Sequence, residues 1–150
     1  MKKFKFGLDT VLSYKQQVLD ALQGEHAAIL ARVHRQETLV EECWQRYRAY
    51  NEDYRDRARE GLAITEAMIC EAGLRAMERE IQQETAKLQA LREAAEKKRE
   101  EVVEARKETS SIEKLREKKR ADYNKALAKS EEQAIEEFVS MTRVIQAAGA

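Results

Sequence analysis

Trp44, Tyr47, Tyr50 and Tyr54 crowd into about three helical turns of sequence. Arg46, Arg48 and Arg55 flank them. Large aromatics beside arginines make the composition of a protein-binding hot spot. The same tyrosines also sit on an apolar repeat, so they serve equally well as packing residues, and the two readings stand side by side. Other chemistry is thin. His26 and His34 are separated by about 12 Å along one helix, too far to share a metal ion. Glu41–Glu42 and Glu131–Glu132 read as solvated faces and not as acid–base pairs. The patterns GxxxxGK(S/T), GxGxxG and CxxC are all missing. No catalytic, cofactor-binding or metal-ligating residue is therefore expected, no cofactor, and no enzymatic activity.

The elements that carry these residues follow from composition and period. Of 150 residues, 37% are charged and none is proline. Such a charge fraction fits either disorder or long helices. Regular apolar spacing decides for helices. Leu8, Leu12, Lys15, Leu19, Leu22, His26, Ile29, Val33, Gln36, Val40, Cys43, Tyr47, Tyr50 and Tyr54 alternate in steps of four and three. So do Leu74, Met77, Ile81, Glu84, Leu88, Leu91, Ala95, Lys98, Val102, Ala105, Thr109 and Ile112. A stripe of this kind is a coiled-coil seam. At Leu115 the pattern slips by one residue. A looser stripe of Tyr123, Leu127, Ile135, Phe138, Met141 and Ile145 follows.

Gly61 is the natural end of the first helix, because glycine tolerates the left-handed terminating conformation. Thr65 is the expected cap of the second helix. Gly73 is a rival break point, read as helical or as a local kink. The fold class expected is all-α: a long two-helix antiparallel coiled-coil hairpin with an overhanging C-terminal helix. It forms a single domain over 1–150, with helix 1 over about 8–60, a turn at about 61–64 and helix 2 over about 65–147. Residues facing each other across the seam then have numbers adding to about 124. Helix 1 begins opposite residue 116, and residues 117–147 project without a partner. Cys43 faces a position near 81, so it and Cys70 are expected as two free thiols.

Net charge is zero, which speaks against a nucleic-acid binder, although Lys114, Arg116, Lys118, Lys119 and Arg120 form a local basic strip. No apolar run is long enough to cross a membrane. The N-terminus lacks the continuous apolar core of a signal peptide.

Particular residues carry a resemblance. The opening Phe4-x-Phe6-x-Leu8-x-x-Val11-Leu12-x-Tyr14 is one set. The distal Lys114-Leu115-x-Glu117-Lys118 and Glu131-Glu132-Gln133-x-x-x-Glu137 are another. With the length and the mid-chain turn, the sequence resembles the FliJ family of the flagellar type III protein export apparatus. That resemblance implies a coiled coil like the rotary ATP synthase gamma subunit, acting as stalk and regulator of the hexameric export ATPase (FliI in the family). It also implies contact with the cytoplasmic domain of the export gate (FlhA) and with export chaperones. The family's gate-contacting YxxxY pair is matched by Tyr50 and Tyr54, with Tyr47, Met77 and Glu80 in the same region. The family pattern places an aromatic where Gly73 stands. The ATPase-facing part implied is Phe4, Phe6, Arg116, Lys118, Lys119 and Arg120. The implied location is cytoplasmic, peripheral to the inner membrane through partners and without membrane insertion. A homologous stalk of a virulence-type injection system and a structural coiled-coil rod are the alternatives.

Overall fold

A computed structural model describes residues 2–149. The end positions of the expected domain, 1 and 150, lie outside the described residues. The protein is all-α, with α1 over Asp9–Glu60 and α2 over Ile64–Ala148. Two compact units form. One is Asp20–Val103; the other joins the residues up to Leu19 with those from Glu104 onward.

In the Asp20–Val103 unit the two helices run antiparallel around a turn. Arg57 and Arg59 occupy the last turn of α1, where cations complement the helix dipole. Gly61 follows at φ 105°, the left-handed conformation that ends the helix, and its N–H reaches the Ala58 carbonyl at 3.4 Å. Thr65 is not the cap. The helix starts at Ile64, which puts Thr65 inside the first turn. Ala63 supplies the first acceptor instead, its carbonyl taking the Ala67 N–H at 2.9 Å. Gly73 lies inside α2.

The seam of this unit is the stripe read from the sequence. Val33, Cys43, Cys70, Ile81, Leu88, Ala95 and Val102 are buried. Val33, Leu88 and Ala95 form its tightest cluster, with Ile29, Val40 and Leu91 packed against them. Among the described residues no large side chain is completely buried. That fits two helices sharing one interface, with no third layer to close over it. Three polar seam residues, Gln36, Glu84 and Lys98, find partners. Gln36 Nε2 donates to Glu84 Oε2 at 2.6 Å and to the Glu84 carbonyl at 2.9 Å. Lys98 Nζ reaches Glu25 at 2.9 Å and Glu101 at 2.8 Å. Those bonds offset the cost of placing polar groups in an apolar interface.

In the other unit α1 begins with Asp9 and packs on the distal part of α2. Leu12 and Thr109 are buried between them. Thr109 Oγ1 donates back to the Ala105 carbonyl at 2.8 Å, satisfying its hydroxyl within its own helix. Lys15 meets Glu108 at 2.8 Å. Leu8 lies in the turn before α1 and is 39% exposed, so the buried stripe starts at Leu12.

Two expectations change here. The slip at Leu115 does not occur. The four–three rhythm continues from Ile112 to Arg116, which is half-buried and donates from Nε to Asp9 Oδ1 at 3.0 Å, while Leu115 turns outward. An ion pair thus holds a seam position that apolar counting passes over. The paired region also extends past residue 116. Residues 2–6 are not helical and run along α2, where the Tyr123 hydroxyl donates to the Lys2 carbonyl and the Phe4 and Tyr123 rings meet at 5.6 Å. Beyond Leu127, among the described residues, only Thr142 is less than exposed, and its hydroxyl bonds back to the Phe138 carbonyl.

Candidate protein-binding surfaces

The aromatic strip of the Asp20–Val103 unit divides between the seam and the surface. Tyr47 is half-buried, and its hydroxyl donates to Glu78 Oε1 across the hairpin at 3.0 Å. That bond, then burial, raises its phenol above the ordinary range. Trp44 is 41% exposed and stands edge-on to Tyr47 at 5.7 Å. Tyr50 turns inward over Gly73. A methyl group at Gly73 would lie 2.8 Å from Tyr50 Cζ, so the absent side chain makes the space the ring occupies. Burial, and then Cys70 beside it, raise the Tyr50 phenol. Tyr54 and Met77 are half-buried, while Glu80 is exposed and takes Arg46 at 3.4 Å.

Cys43 and Cys70 are buried free thiols. Arg46 Nη2 donates to Cys43 Sγ at 3.2 Å, and Glu80 lies 3.9 Å from the same sulfur. The five residues expected at an export gate therefore gather on one stretch of the hairpin. Glu80 presents itself outward, and the other four are shared between surface and seam.

Sequence reasoning passed over one exposed group. Ile64, Met68 and Ile69 are 81%, 64% and 69% exposed beside the turn. Their signal was available: three large apolar residues fall off a rhythm that begins at Leu74.

The second surface belongs to the other unit. Phe6 is buried and Phe4 half-buried, so both hold the N-terminal segment against the protein and face inward. Arg116 is tied to Asp9. Lys118, Lys119 and Arg120 are exposed, and none forms an ion pair among the described residues. Farther along α2, Ile135, Phe138, Met141, Val144 and Ile145 stand open with no element packed on them. Glu131, Glu132, Glu136 and Glu137 border that apolar stretch.

Together these surfaces present charge, aromatic edges and an unpaired apolar helix face. Among the described residues no group of three metal-ligating side chains comes together, and no helix is long and apolar enough to cross a membrane. The family model of the flagellar FliJ protein matches residues 4–147, and the chain belongs to that family. Membership makes it a component of flagellar protein export, in a family of non-enzymatic parts of that apparatus. Among curated proteins and solved structures, nothing matches the chain.

Proposed function

We propose that the chain serves as stalk and regulator of the hexameric export ATPase, and as an adaptor to the export gate and to export chaperones. The observation that supports this most is the unpartnered end of α2. Phe138 is 71% exposed there, within a stripe that continues the seam after the N-terminal segment has ended. A helix face of this kind is stabilised by covering it with another protein. Lys118, Lys119 and Arg120 lead into it and supply charge to the ATPase wall. Phe4, Phe6 and Arg116 contribute from within, by fixing the segment beside them. The gate contact falls to the strip around Tyr47, Tyr54, Met77 and Glu80, with Tyr50 setting its packing. In this reading the protein works at the cytoplasmic face of the inner membrane, held there through its partners.

Pull-downs with the cognate ATPase and gate domain test the division. Lys118→Glu/Lys119→Glu/Arg120→Glu should weaken ATPase capture at least tenfold and leave gate capture unchanged. Tyr47→Ala/Tyr54→Ala should do the reverse. Loss of both interactions with either set, while helicity by circular dichroism is kept, would contradict it.

A further inference from the structure

The lysines of distal α2 are not distributed evenly around the helix. Successive residues turn by about 100°, so positions can be placed relative to Tyr123, which faces the N-terminal segment. Lys119 and Arg120 fall within about 60° of Tyr123. Lys107, Lys114, Lys118, Lys125 and Lys129 fall on the opposite side, within an arc of about 80°. From 107 to 129 that arc otherwise carries only Ser111 and Ala121. One carboxylate, Asp122, borders the row about 20° beyond Lys129, and the next one on the arc itself is Glu132. All five lysines are exposed, and none is in an ion pair among the described residues, although ion pairs are common elsewhere in the chain. The row spans about 33 Å.

We propose that this row is a docking face for an anionic lipid surface. The geometry favours a flat, extended anion over a shaped one. The charges are collinear and lie on the face that the protein does not use for its own packing. They are also all lysine. Lysine offers a mobile, hydrated point charge, which suits laterally free headgroups; arginine forks would suit fixed bidentate recognition. The arc has no exposed aromatic for base stacking and no large apolar residue for insertion between positions 107 and 129. Contact is therefore electrostatic and stays at the headgroups, where each lysine strengthens association by about fivefold. The inference stands apart from the ATPase reading, since it concerns the chain alone and mainly other lysines.

Sedimentation of the full chain with vesicles provides the test. Binding to phosphatidylcholine vesicles containing phosphatidylglycerol should be clear at low salt and fall as salt rises. It should be absent with phosphatidylcholine alone. Lys114→Gln/Lys118→Gln/Lys125→Gln should lower the partition coefficient on the order of 100-fold. Lys2→Gln/Lys3→Gln/Lys5→Gln, on the other side, should lower it less than about tenfold. Glutamine keeps helix propensity, and circular dichroism checks that it has. Equal binding to both vesicle types, an unaffected first variant, or capture of single-stranded DNA in preference to the anionic vesicles would each overturn the proposal.

Discussion

At the residue scale, two glycines within long helices make opposite predictions. Gly24 is exposed, and a methyl group there would meet nothing within 4 Å. Gly24→Ala should stabilise the protein by about 0.5–1 kcal/mol through helix propensity alone. Gly73 holds the Tyr50 ring, so the same change there crowds the seam at a cost of about 1–3 kcal/mol. Thermal melts should show Gly24→Ala above the parent by roughly 2–4 °C and Gly73→Ala at or below it. Glu84 gives a pH dependence. Hydrogen bonding from Gln36, then from Lys87, holds its carboxyl below the ordinary range. Its folded form takes up a proton less readily than its unfolded form. The carboxylate therefore contributes stability above the ordinary carboxylate range, and that contribution is lost as pH falls through the lowered value. Glu84→Gln should flatten the acid side of the stability–pH curve; an unchanged curve would remove Glu84 as the cause. Residues with such reciprocal partners were the least legible in the sequence. Arg116 read as surface charge because its partner, Asp9, is near the other end of the chain. Tyr50 read equally as binder or packing residue because the missing side chain of Gly73 acts only once the helices are folded together.

At the scale of elements, the seam was legible because a coiled-coil interface repeats one simple demand every three or four residues. Within the Asp20–Val103 unit, cross-helix pairs such as Glu25–Lys98 and Cys43–Glu80 keep the facing relation that a turn at Gly61 requires. What escaped was irregular. The segment at residues 2–6 has no period, so nothing marked it as lying along α2. Its two phenylalanines looked free to meet a partner, and the helix beyond residue 116 looked bare. Thr65 failed as a cap because α2 starts one residue before it, at Ile64. The backbone geometry at Gly61 carries a prediction. With φ at 105°, Gly61→Ala puts a Cβ into the left-handed region and should cost roughly 1–2 kcal/mol. Urea denaturation should show a lower midpoint with an unchanged slope, and an unshifted midpoint would mean that the turn relaxes without penalty.

At the scale of the whole molecule, balanced total charge conceals strong local order. Basic residues prevail in α2 from Lys114 to Lys129 and acidic ones from Glu131 to Glu137, next to the longest run of exposed apolar side chains. Membership in the FliJ family fixes the setting as flagellar export. The partners proposed rest on resemblance, since an exposed apolar helix face does not say what would cover it. The most direct measurement of the central claim is the hydrolysis rate and hexamer fraction of the cognate export ATPase, titrated with the purified chain. The account predicts that both rise severalfold and saturate, and that Phe138→Ala/Met141→Ala/Ile145→Ala abolishes the rise while leaving the helices folded. If the parent chain changes neither quantity, the stalk assignment is wrong.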